Sequence, residues 1–92
     1  MVLNICFMTE NGKKSVAQLQ DDFDYKNFME MIDKTLGVNT IEHFTLVAKG
    51  KDLCVHNETQ FNDRKNLIVN GVNIFVGRRM IGGNALGACG GP

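Results

Sequence analysis

An α+β fold, with one helix laid across a mixed sheet of four to five strands, is predicted by three features of this 92-residue chain. The first is an alternating run at the start, Leu3, Ile5 and Phe7 against Asn4, Cys6 and Met8, which has the period of a half-buried strand. The second is a capped amphipathic helix at about residues 24–36. The third is a closing strand, Val72-Asn73-Ile74-Phe75-Val76, of the same apolar character as the first. The chain between the first and last strands is long enough for a crossover, so the two can pair centrally and in parallel. A helix and a sheet each bury one apolar face when packed together, which makes this layering economical for a small chain.

The elements follow in order. Thr9-Glu10-Asn11-Gly12-Lys13 carries an Asn-Gly step between two strand-like runs, a strong hairpin signal because both residues accept positive φ. The return strand is Lys14 to Gln20, with Ala17 and Leu19 toward the core. Asp24 is a suitable helix N-cap, since its carboxylate can accept orphan amides of the first turn. Tyr25, Phe28, Ile32 and Leu36 fall at helical spacing on one face, with Met29 beside them. Lys26, Asn27, Glu30, Asp33 and Lys34 cover the other side, and Gly37 stands where a left-handed C-terminal cap belongs.

Phe44-Thr45-Leu46-Val47-Ala48 reads as a third strand, Lys49-Gly50-Lys51 as a turn, and Leu53-Cys54-Val55 as a short fourth strand. His56 to Asn66 is polar and irregular with Phe61 as its anchor. Leu67-Ile68-Val69 is a short apolar run, and Asn70-Gly71 is a turn into the last strand. The predicted core is Leu3, Ile5, Phe7, Phe28, Ile32, Leu36, Leu46, Ile74 and Val76. The order of elements is that of a β-grasp domain, with an ordered body ending near Met80. The domain spans residues 1–81 and a flexible glycine-rich tail spans 82–92.

Composition narrows the function. The formal net charge is +0, which argues against a general binder of nucleic acid or anionic membranes. No apolar run approaches the roughly 18 residues needed to span a bilayer. Met1 to Phe7 has neither a basic leader nor a long apolar stretch and does not read as a signal peptide. Cys6, Cys54 and Cys89 are irregularly spaced, which suits free thiols in a reducing compartment better than a disulfide framework. His43 and His56 do not pair with cysteines at ligand intervals, so no metal and no other cofactor is expected. No nucleophile stands at a usable position with His56, so the chain is not expected to be an enzyme.

The tail carries the chemistry. The closing strand runs into Gly77-Arg78-Arg79-Met80-Ile81 and then Gly82-Gly83. Adjacent glycines lose the most backbone entropy on ordering and offer no side chain to pack. They suit a thin terminus that threads a narrow cleft, although an ordinary floppy end has the same composition.

At these residues the chain resembles ubiquitin and its relatives. Asn11-Gly12-Lys13 falls at the family's first hairpin turn, and Asp24 to Gly37 matches its capped helix. Leu46-Val47-Ala48-Lys49-Gly50-Lys51-Asp52-Leu53 is similar to its strand, Gly-Lys turn and leucine. The stretch from Gly77 to Gly83 is most similar to ubiquitin-like proteins made as fusions to a small-subunit ribosomal protein. The resemblance covers residues 1 to 83. It implies a modifier precursor that is cut after Gly83 and conjugated through that glycine, with Gly82 and Gly83 as the processing and conjugation site. It implies recognition by an activating enzyme at Arg78 and Arg79, and a partner surface at Val47, Phe75 and Lys51. Glu10 and Gly77 occupy the remaining positions of that surface, where the family is apolar.

The implied partners are activating and conjugating enzymes or a processing protease, together with protein targets, and the domain itself is expected to be a monomer. Cytoplasmic and nuclear compartments follow from the same resemblance. Residues Asn84 to Pro92 continue past the diglycine, so no carboxylate is free at Gly83 until that segment is removed. A second pair, Gly90-Gly91, precedes Pro92, whose ring makes the preceding bond a poor protease substrate. Two other readings remain open. One is a non-conjugated interaction domain or fusion leader. The other is a sulfur carrier ending in a glycine thiocarboxylate. Met8, Met29 and Met31 read as core filling, and Cys89 as a bystander thiol.

Overall fold

The computed structural model describes residues 1–37 and 40–78. Five strands occupy Val2–Thr9 (β1), Lys14–Gln20 (β2), Phe44–Ala48 (β3), Lys51–Asp52 (β4) and Val72–Arg78 (β5). Helices occupy Tyr25–Thr35 (α1), Thr40–His43 (α2) and Glu58–Arg64 (α3), and a single 3-10 turn follows at Lys65–Leu67. The strand order is β2-β1-β5-β3-β4. β1 and β5 run parallel at the centre, with Phe7 level with Ile74, and the other neighbours are antiparallel.

Each local feature has a residue-level cause. The first hairpin turns through Glu10, Asn11 and Gly12, closed by the Thr9 N–H donating to the Lys13 carbonyl at 2.9 Å. Only Gly12 takes positive φ, at 85°. Asn11 does not, so the loop is a three-residue turn ending in a left-handed glycine and not the two-residue turn that Asn-Gly also allows. α1 opens on a reciprocal cap. The Asp24 carboxylate accepts the Asn27 N–H at 2.8 Å, and Asn27 Oδ1 accepts the Asp24 N–H at 3.1 Å. The Leu36 and Gly37 amides both donate to the Ile32 carbonyl, ending the helix with Gly37 at φ 110°.

The core lies between α1 and the inward face of the sheet. Ile5, Phe7, Phe28, Ile32, Leu46, Ile74 and Phe61 are completely buried. Leu36, expected among them, is only half-buried, packed against the core from the C-cap position of α1. Met31 is buried in its stead, at the edge of the helical stripe. Phe61 packs tilted against Phe28 with ring centroids 5.0 Å apart and meets Tyr25 edge-on at 5.4 Å.

Three further expectations need correction. The short fourth strand is Lys51–Asp52 rather than 53–55. The ladder extends one hydrogen bond further, from the Leu53 N–H to the Leu46 carbonyl at 2.8 Å. Cys54 then turns left-handed at φ 57°, which ends the pairing. The buried Asp52 carboxylate accepts the Cys54 N–H at 2.8 Å and holds that turn. The segment expected to be irregular contains α3. Asn57 caps it by accepting the Gln60 N–H at 3.1 Å, and one buried residue, Phe61, fastens it to the core. A seven-residue helix with one apolar anchor leaves no periodicity to read. The free-thiol expectation holds for Cys6, whereas Cys54 is disulfide-bonded. Such a bond needs proximity in space, which sequence spacing does not report.

Candidate functional site

The outward face of the sheet carries an apolar row across its three central strands. β1 places Met8 level with Phe75 of β5, and β5 places Phe75 level with Val47 of β3. Cross-strand partners share a face, with Cβ atoms about 4.5–5.5 Å apart. Alternation sends the neighbours Ile74, Val76, Leu46 and Ala48 into the core. Phe75 is 46% exposed, while Met8 and Val47 are half-buried. Sequence alternation places Val47 and Phe75 on this face, whereas Met8, expected to fill the core, joins them. The alternation of β1 carries the signal, since Met8 lies out of phase with Leu3, Ile5 and Phe7.

Beside this row lies the end of β5 at Arg78. Glu10 reaches from the first hairpin and its Oε1 accepts the Arg78 N–H at 2.9 Å. Gly77 lies between Glu10 and Phe75. A Cβ built there would meet Glu10 Oε1 and the Phe75 ring, each at 3.7 Å, which is ordinary contact. The two positions that depart from an apolar surface are therefore adjacent, and one of them holds the root of the tail. No motif announces this bond, because its partners are 68 residues apart in sequence.

Lys51 is exposed on β4 and pairs with Ala48, whose side chain enters the core. The pleat therefore sets Lys51 out of phase with Val47, and it does not join the Met8–Phe75–Val47 row. Arg78 ends β5 and is exposed. Arg79, Gly82 and Gly83 lie outside the described residues, as do Met80 and Cys89. Among the described residues no group of three or more His, Cys, Asp and Glu could hold a metal ion. No helix among them is long and apolar enough to cross a membrane.

One ionisable group is perturbed by the fold. The Tyr25 hydroxyl donates to the Val55 carbonyl at 2.6 Å. Burial, and secondarily the nearby Glu58 charge, raise its pKa above the ordinary phenol value. This ties α1 to the loop before α3 and is a structural contact.

No protein-family model matches the chain, and no curated protein matches it. Among solved structures it is similar to a protein designed de novo on the basis of ubiquitin, with a TM-score of 0.62 and 20% identity. The match covers 91% of this chain and 96% of that one. The central parallel pair, the single long helix and this likeness define a ubiquitin-like β-grasp fold.

Proposed function

We propose that the chain is a ubiquitin-like modifier precursor, cut after Gly83 and conjugated through that glycine. The observation that carries this reading is the course of β5. It runs through the middle of the sheet, past the exposed Phe75, and ends at Arg78 four residues before Gly82-Gly83. A diglycine at that distance from a rigid body can enter a channel too narrow for side chains, because no Cβ stands near the carbonyl that must be reached. In this reading a cysteine protease of the ubiquitin-specific type removes Asn84 to Pro92 and frees the carboxylate. An activating enzyme then adenylates it and passes the acyl group to a thiol, with Arg78 and Arg79 contributing to the choice of enzyme. The chain supplies only the reachable carboxylate and is no enzyme itself. Met8, Phe75 and Val47 supply a partner surface, and Lys51 is a separate exposed amine. The cytoplasm and nucleus are the compartments this reading requires, where reducing conditions would open the Cys54 disulfide, and a ribosomal-protein fusion is one source of such a tail.

A second reading, a non-conjugated interaction domain, is favoured by the exposure of Phe75 together with Glu10, which draws the tail root against the sheet. Incubating the 92-residue chain with cell extract and measuring the product mass separates the two. A product ending at Gly83 supports the precursor, and a chain that survives intact or is cut only at Gly91 supports the interaction domain.

A further inference from the structure

The sheet has two unequal edges. β4 is two residues long and is soon followed by the left-handed Cys54, so it offers little to pair with. β2 is seven residues long, pairs with β1 in unbroken register, and contains neither a proline nor a bulge. Edge strands of this length are ordinarily blunted by such devices. The direction of its free backbone groups is readable from the ends of the hairpin. The Thr9 N–H donates to the Lys13 carbonyl, and the Asp21 N–H donates to the Met1 carbonyl at 3.0 Å. In an antiparallel ladder the inward-turned residues alternate, so odd-numbered residues of β2 bond to β1. Lys14, Val16, Gln18 and Gln20 then turn their N–H and C=O groups outward. Val16 is also 70% exposed, a large apolar side chain on an open edge.

The charges beside this edge decide what suits it. Lys13 and Lys14 stand at one end of β2, and Asp21 and Asp22 stand at the other. On α1, across the groove that β2 borders, Glu30 and Lys34 repeat the pairing one helical turn apart. The edge is thus balanced in charge and polarised along its length. A foreign peptide of either sign gains little from it. A second copy running antiparallel puts each basic end against an acidic end.

We infer that two copies of this chain pair antiparallel along β2, about a two-fold axis at Ala17, joining two five-stranded sheets into one. Centred there, the whole strand is used. Lys14 pairs with Gln20 of the second copy and Val16 with Gln18, which are the residues whose backbone groups point outward. Ala17 meets Ala17, and Ser15 meets Leu19, on the helix side. Just beyond the strand, Lys13 faces Asp21 of the second copy, twice by symmetry. Asp21 is 51% exposed and stands 3.8 Å from the terminal ammonium of Met1, an exposed and screened contact that leaves it available to Lys13. The inference does not depend on processing of the tail.

The test is sedimentation of the full chain over a concentration series reaching about 1 mM, in low and high salt. The expected result is a weight-average mass rising from 10.2 kDa toward twice that value, less steeply in high salt. Val16→Pro removes an outward N–H while sparing the β1–β2 ladder, and it should abolish the rise. Lys13→Asp alone and Asp21→Lys alone should each weaken association about tenfold, since each acts at two places. The double reversal should restore it, which a merely misfolded variant would not do. A mass fixed at one chain throughout overturns the inference, as does self-association that survives Val16→Pro or is not restored by the double reversal.

Discussion

Glu10 accepts a hydrogen bond from the backbone of Arg78, joining the first hairpin to the last described residue of the chain across 68 positions of sequence. The bond holds the end of β5 against the first hairpin. Removing it should free the tail root without disturbing the core, because both residues are exposed. In Glu10→Ala the Arg78 amide should exchange with solvent up to about tenfold faster, the size expected for one exposed hydrogen bond. Amide exchange by NMR reads this directly, and an unchanged Arg78 rate would show that the bond does not persist in solution.

Ile32 is completely buried at the centre of the α1 face. Truncation there leaves a cavity between helix and sheet, so Ile32→Ala should cost about 2–5 kcal/mol. The urea midpoint should fall accordingly, and a midpoint that does not move contradicts the packing described.

Phe75 behaves in the opposite way. Its ring stands on the outward face, so Phe75→Ala should change the urea midpoint far less than Ile32→Ala does. If the face binds partners, the amides of Met8, Val47 and Phe75 should shift on titration with a candidate protein and cease to shift in the variant. A partner whose binding perturbs only other strands assigns recognition elsewhere.

Gly83→Val should block cleavage after residue 83. A β-branched side chain stiffens the tail and cannot enter a channel shaped for glycine. The product mass after incubation with extract is the readout, and a variant processed at the wild-type rate would falsify the proposed site.

Tyr25 predicts an alkaline limit to stability. The fold raises its pKa, which means the folded chain prefers the neutral phenol. That contribution is fully present below the ordinary phenol pKa of about 10 and is lost as pH rises through the folded value. Tyr25→Phe should weaken the protein at neutral pH by about 0.5–1.5 kcal/mol, the worth of its bond to the Val55 carbonyl. It should also flatten the loss of stability above pH of about 10. Chemical denaturation at a series of alkaline pH values measures both.

The sequence by itself determined the elements whose information is local. Alternation in Leu3, Ile5 and Phe7 and in Ile74 and Val76 specified two strands and their buried faces. Asp24 and Gly37 marked the ends of the helix within a residue, because caps act on amides only three or four positions away. The same alternation sufficed to place Val47 and Phe75 outward, since each lies out of phase with the buried residues of its own strand. Tertiary structure alone decided the features whose partners are distant in sequence. Parallel pairing set Met8 beside Phe75, a relation between residues 8 and 75 that no local pattern encodes. One aromatic, Phe61, turned a polar stretch into α3 by packing against Phe28 and Tyr25. The left-handed Cys54 ended a strand that apolar composition would have continued, held there by a buried carboxylate. The open edge of β2 likewise became visible only with the strand order. A strand's sequence reports which side of it is buried, whereas its neighbours in the sheet are chosen by the rest of the chain.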